Sequence, residues 1–314
     1  MLRHIGFRFV QLLFVMMIVS LVIFVLMKLA PGDPVLAILK ANEGAVTISD
    51  QNAVRTELGL EMPLYKQFGS WLKGVVTFDL GRSYMNNRDV WDILMERLPA
   101  TVSLTIGAFI VLLLISVPLG VLAAQHQGRL PDHISRFVAL IGSSIPSFWL
   151  GLLLIYVFSY QLNWLPTMGK GSLSHLILPS ITLGFVMAPE YIRLLRAGLL
   201  ETLSEQYIRA ARARGIAEWS IIMRHALQGA LLPILSVFGM SIGSLMAGSV
   251  VTESLFGWPG LGSMAMEAIT QRNYPLIQGY VLISGFFIVL ANLAVDISYG
   301  LLDPRIRVGR GKRA

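Results

Sequence analysis

The chain has no cysteine among its 314 residues, which excludes disulfide frameworks, thiolate nucleophiles and zinc–thiolate sites. It is also poor in charge, with 14% Asp, Glu, Lys and Arg against roughly 25% in a soluble domain. No G-x-x-x-x-G-K-[ST] phosphate loop occurs, so any energy from ATP must enter through another protein. The histidines (His4, His126, His133, His175, His225) are scattered without an i,i+4 pair, and no metal site is expected in the chain. "GMSIG" (239–243) has the spacing of a serine nucleophile elbow. It sits inside an apolar run with no strand before it, so packing is the better reading and no catalytic residue is assigned.

What is abundant is apolar sequence: 55% of residues are hydrophobic and the mean hydropathy is +0.67. Several runs reach the ~20 residues that cross a bilayer. They are continuous and lack the period-two alternation of a membrane barrel, so the fold class is all-α and polytopic. Six transmembrane helices are predicted, near 9–29, 100–124, 137–162, 176–200, 231–251 and 276–302. The first run is too long for a signal-peptide core and is expected to remain as an anchor. The fourth is interrupted by Pro179, Pro189, Glu190, Arg193 and Arg196. Pro146, with Phe148 and Trp149, is expected to bend the third.

Basic residues cluster on alternate connections. Arg3 and Arg8 precede the first span, Arg129 and Arg136 lie between the second and third, and Arg305, Arg307, Arg310, Lys312 and Arg313 fill the tail. The short loops of the other side hold one each, Lys170 and Arg272. This bias predicts that both termini are cytoplasmic, and it accounts for the net charge of +7 without nucleic acid. The expected organisation is a leader and first helix (1–30), a small external domain (31–97), a membrane core (98–303) with a cytoplasmic insert at 201–230, and a basic tail (304–314). Trp71, Phe78 and Trp91 are core candidates for the external domain, which has nine acidic residues roughly balanced by basic ones.

Single residues within the spans carry further expectations. Glu190 and Arg193 are expected to pair at i,i+3, in preference to a proton relay, because charge facing lipid is costly. Asp296 in the last span is read as a buried, hydrogen-bonded carboxylate. Gly239, Gly243 and Ala247 are spaced by four, a pattern that lets helix backbones approach, against a second subunit or a neighbouring span. Trp258 and Pro259 suggest an interfacial turn or short re-entrant segment.

The insert "YIRAARARGIAEWSIIMRHALQGALLP" (207–233) is basic and helix-patterned. Thr202 with Glu205 is predicted as a capping box opening a helix over 204–215. Gly215 is predicted to end it in a left-handed turn, with a second helix starting near Glu218. The insert resembles the cytoplasmic coupling loop of ABC importer permeases in the dipeptide/oligopeptide/nickel branch. Ala210, Ala211 and Gly215 match the wider pattern, while Arg209 stands where that pattern has Glu. "LAPGDP", "LGLEMPLYKQFGSWL", "FDLGRS", "SIPSFWLG", "WLPTMG", "FGWPGLG", "RNYPLIQG" and "DPRIR" extend the likeness along nearly the whole chain. Phe78, where Gly is usual, and Asp89, where Pro is usual, are departures.

The resemblance implies a permease subunit of the bacterial inner membrane that imports peptides. It further implies two ABC ATPase subunits that bind ATP and Mg, a homologous second permease and an extracytoplasmic solute-binding protein. Nickel or a metal chelate, glutathione and opines are alternative cargoes, and substrate-binding residues are not assigned. Tyr207, Arg209, Ala210, Ala211, Arg212, Arg214 and Gly215 would face the ATPase, the arginines offering forked donors. A secondary transporter or channel using Glu190 and Asp296 is the rival reading.

Overall fold

The computed structural model describes residues 2–29, 35, 51–52, 55–56 and 61–302. Among these, the regular elements are helical, with one isolated antiparallel bridge between Arg82 and Asp89. Four segments are long and apolar enough to cross a membrane: Val10–Leu29, Val90–Gln125, Leu173–Leu203 and Tyr274–Ser298. Two bent pairs bring the number to six if each is one span. The tail 303–314 and most of 30–60 lie outside the described residues.

The chain divides into two compact units. The first holds α1 (Leu2–Leu29), α2 (Leu64–Val76), the beginning of α3 (Val90–Gln125), α11 (Leu261–Thr270) and much of α12 (Tyr274–Leu302). Its core is Val90, Ile93 and Leu94 of α3 against Leu261, Met264, Ala268 and Leu276. Trp71, Phe78 and Trp91 do not form it: Trp71 packs on Phe24 of α1, and Phe78 is 64% exposed, its ring against Trp91. Phe78 also has φ +61°, a conformation costly for a bulky side chain, which explains why glycine suits that position better.

Asn273 ties distant motifs together inside this unit. Its Nδ2 donates to Ser83 Oγ at 2.7 Å, and its Oδ1 accepts from the Tyr84 amide at 3.2 Å. The "RNYP" and "GRSY" segments are thereby joined across 190 residues. Nearby, the Thr101 hydroxyl accepts from the Leu261 amide at 2.8 Å, satisfying one open donor at the start of α11.

The second unit is organised around α6 (Leu173–Leu203), which runs unbroken through Pro179 and Pro189. Its start is fixed by Ser172, whose amide donates to His175 Nδ1 at 3.2 Å, one half of a capping box. Residues 102–125 of α3 lie close against it. A Cβ on Gly184 would stand 2.6 Å from the Ala108 carbonyl oxygen, and one on Gly107 would strike Ser180. Lipid offers no hydrophobic drive for helices to associate, so such close backbone contact carries the packing.

The predicted third span is not one helix. α4 (Leu130–Ser144) and α5 (Ser147–Leu154, continued by a π-helical turn to Gln161) meet at 102°. Pro146 disfavours helical geometry at Ile145, which is extended at φ −87° and ψ 123°, so the expected bend is a break. Likewise, the predicted fifth span consists of α9 (Leu227–Met246) and the helical turns before it, bent by 60° near residue 232, and the short α10 (Val250–Leu255) follows it in the chain.

α4 is fastened to α6 by an ion-pair node. Asp132 is fully buried, and Arg196 forks onto it at 2.7 Å (Nε–Oδ1) and 2.9 Å (Nη2–Oδ2). Arg136 forks onto the same carboxylate at 3.1 and 2.9 Å, and the Gly128 amide adds a bond at 2.9 Å. The expected Glu190–Arg193 pair does not form: Arg193 donates to Ser143 of α4 at 3.1 Å, and Glu190 is exposed on this chain.

Two substitutions test these joints by thermal unfolding in detergent. Asn273→Ala should cost about 2 kcal/mol, because it strands the buried Ser83 and Tyr84 groups. Asp132→Ala should cost about 3 kcal/mol by leaving Arg196 unpaired inside protein. Adding Arg196→Met to Asp132→Ala should recover part of that loss. Additive losses would show that the two residues do not act as a pair.

Candidate functional site

The insert between α6 and α9 folds as two short helices around a glycine corner. α6 ends at Leu203, and α7 (Gln206–Ala213) begins after a two-residue corner of Ser204 and Glu205. The predicted capping box is not there. Thr202 belongs to the last turn of α6, its hydroxyl bonding back to the Gly198 carbonyl at 2.8 Å, and Glu205 is the N-cap of α7. The helix of the insert is therefore shorter than the expected 204–215. The corner itself is tied by the Ser204 and Glu205 amides to the carbonyls of Glu201 and Thr202, each at 3.1 Å.

The other end follows the expectation. Gly215 has φ +76°; its amide donates to the Arg212 carbonyl at 2.9 Å, and the Ile216 amide donates to the Ala211 carbonyl at 3.3 Å. This pair of bonds is a Schellman motif, which favours a glycine at the left-handed position. α8 (Glu218–Ile221) follows, with a π-helical segment Ile222–Ala226 leading into α9. The base is narrow: a Cβ on Gly198 would stand 3.1 Å from Ala230 Cα, and one on Gly229 would stand 3.0 Å from Thr202 Oγ1.

α7 has two faces. Ile208 and Ala211 are buried at i,i+3, holding the helix down. Tyr207, Arg209, Ala210, Arg212, Arg214 and Gly215 are exposed. Arg212, however, is engaged within the chain. Its Nε and Nη2 fork onto Glu218 at 3.0 and 2.6 Å, and that bond raises the Arg212 pKa above its ordinary value. Arg212 therefore braces the glycine corner, leaving Arg209 and Arg214 as the predicted arginines not committed to that pair. Trp219 is 65% exposed just past the corner and extends this surface with an aromatic ring that the sequence reading did not single out.

The remaining predicted residues are placed as follows. Gly239 meets Val295 and the Ala291 carbonyl of α12, and Gly243 is buried. Ala247 lies in the turn after α9, where its carbonyl accepts from the Tyr280 hydroxyl at 2.5 Å, so it does not continue a helical stripe. Ser241 of "GMSIG" accepts a hydrogen bond from the Tyr191 hydroxyl at 2.9 Å, a helix–helix bond. Asp296 is half-buried, and Trp258 is buried within the chain at 3% exposure. The residue that sequence reasoning missed is Asp132. The i,i+4 spacing to Arg136 and the otherwise unmatched Arg196 were the signals available.

A helical, apolar chain with a basic insert and no nucleotide-binding loop matches known proteins along its length. Residues 116–308 match the model of the binding-protein-dependent transport system inner membrane component, and residues 1–105 match the N-terminal companion model of that system. The glutathione transport system permease protein GsiC of Escherichia coli O6:H1 (strain CFT073) is 39% identical over 98% of this chain and 99% of its own. GsiC of E. coli K12 and of Shigella dysenteriae serotype 1 is 38% identical over the same shares. In fold, the chain resembles a subunit of the inward-facing MetNI methionine ABC transporter, with TM-score 0.56 and 20% identity. That likeness covers 67% of this chain and 96% of the other, and a second crystal form gives TM-score 0.53. Sequence and fold agree: the chain belongs to the binding-protein-dependent inner membrane components, as a multi-pass permease of an ABC importer in the peptide/nickel family.

Proposed function

We propose that this permease carries short peptides, glutathione among them, along a pathway shared with a homologous second permease. Both termini and the 201–230 insert lie on the cytoplasmic side in this reading, and 31–97 faces the solute-binding protein. One observation carries the substrate class: end-to-end similarity to permeases named for glutathione, itself a tripeptide. It joins the peptide reading and the glutathione alternative into one chemical class. Glu190, exposed on this chain, would be covered by the second permease, because a bare carboxylate facing lipid is costly.

The geometry suggests how force would pass. An ATPase closing on ATP would push on the outer face of α7, where Arg209 and Arg214 can fork onto carboxylates and Ala210 lets a partner approach. The two-residue corner at Ser204 and Glu205 has little slack, so displacement of α7 would tilt α6. Through Asp132 and Arg196, α6 would carry α4 with it. Gly239 and Gly243 would keep α9 close to its neighbours during the motion.

Uptake of labelled glutathione, di- and tripeptides and nickel-63 should be compared in cells lacking the chain and in cells given it back. The expected outcome is restored uptake of the peptides, and restoration of nickel alone would move the cargo to a metal complex. Gly215→Pro should abolish most uptake while the protein still inserts and assembles. Proline cannot adopt φ +76° and has no amide for the Arg212 carbonyl. Normal uptake in that variant would defeat the lever. Uptake that survives ATP depletion with the proton gradient held would defeat ATP coupling.

A further inference from the structure

α2 makes little use of its own sequence in packing. It carries no buried residue and no acidic residue, yet its composition is strongly two-sided. At 3.6 residues per turn, Leu64, Tyr65, Phe68, Trp71, Leu72 and Val76 fall on one side, and Lys66, Ser70 and Lys73 on the other. Part of the apolar side is engaged. Phe68 and Trp71 rest on Phe24 of α1, with ring centroids 5.3 and 6.0 Å away. Most of the rest stays open: Leu64 is 61% exposed and Tyr65 and Val76 are 73% exposed, with Leu72 half-buried between them.

The contact with α1 fixes the depth of this open flank. Phe24 and Lys28 belong to the last turns of the apolar segment Val10–Leu29. Lys28 lies 5.6 Å from the Phe24 ring centroid, and its Nζ donates to Gln67 Oε1 of α2 at 2.5 Å. A lysine ending a membrane helix snorkels to the headgroup level, and aromatic rings collect at the same level. α2 is therefore held at the height where hydrocarbon gives way to water. An exposed apolar flank there meets acyl chains and glycerol, not bulk solvent, while Lys66 and Lys73 reach the headgroup side.

We propose that α2 is a bilayer-surface helix, its Leu64–Tyr65–Leu72–Val76 flank sunk into the lipid interface beside the exit of α1. In that position it would anchor the end of the first helix and set the height of the segment that follows.

The natural absence of cysteine makes the test direct. Single cysteines at 65, 66, 70, 72, 73 and 76 of the full chain would be nitroxide-labelled. The assembled transporter would then be placed in nanodiscs of phosphatidylethanolamine and phosphatidylglycerol, without binding protein. Collision with oxygen, which concentrates in lipid, is compared with collision with a water-soluble nickel chelate. Labels at 65, 72 and 76 should favour oxygen severalfold over labels at 66, 70 and 73, with a helical period. Labels that all favour the chelate would place α2 in water and overturn the proposal. Labels at 65, 72 and 76 shielded from both reagents would mean a protein cover and overturn it as well. If the variants at 72 or 76 fail to assemble, Leu64→Cys and Tyr65→Cys report the same flank.

Discussion

Two arginine forks converge on the Asp132 carboxylate, and the packing of α4 on α6 depends on that node. A buried carboxylate is costly unless charge and hydrogen bonds replace the water it loses. Here Arg196 comes from the central helix, Arg136 from the next turn of α4, and an amide from Gly128. The carboxylate accepts five bonds and satisfies both arginines at once. Neither helix can slide along the other without stranding a charge, so α4 and α6 keep a fixed register. Apolar contact in a membrane gives weaker direction, because lipid tails compete on equal terms.

The register matters because of what hangs from α6. Ten residues beyond Arg196 α7 begins, separated from α6 by only Ser204 and Glu205. Small residues bring the two legs of the insert together at its base, and Ile208 and Ala211 hold α7 against the chain. The Arg212–Glu218 fork closes the corner on the other side of Gly215. The insert is thereby a short, closely braced body and not a loop that could bend freely.

Much of this was legible in the sequence, residue by residue. The Schellman turn was readable because a lone glycine after an alanine-rich helix has few other uses. Phe78 and Asp89 were legible as departures, and the left-handed backbone at Phe78 supplies the reason for the first. Other readings failed where local signals compete. Thr202 and Glu205 have capping-box spacing, but α6 runs on through Thr202 to Leu203, its last turn packed against Gly229 of α9, and Glu205 alone is left to cap α7. Glu190 and Arg193 have the spacing of an ion pair, but Ser143 lies nearer to the guanidinium. Trp71 and Phe78 have core composition, yet the core of that unit was supplied by α11 and α12.

By itself the sequence determined the class: long apolar runs force a helical membrane chain, because only helices and closed barrels satisfy their own backbone in lipid. It also determined the basic, glycine-ended insert, since local propensity and capping act over a few residues. Tertiary structure alone decided that Asp132 belongs to Arg196, that Asn273 holds Ser83 and Tyr84, and that Arg212 turns to Glu218 instead of outward. It also turned the bend at Pro146 into a break of 102°. These pairings depend on which side chains meet across space, and spacing along the chain carries no record of which neighbour wins.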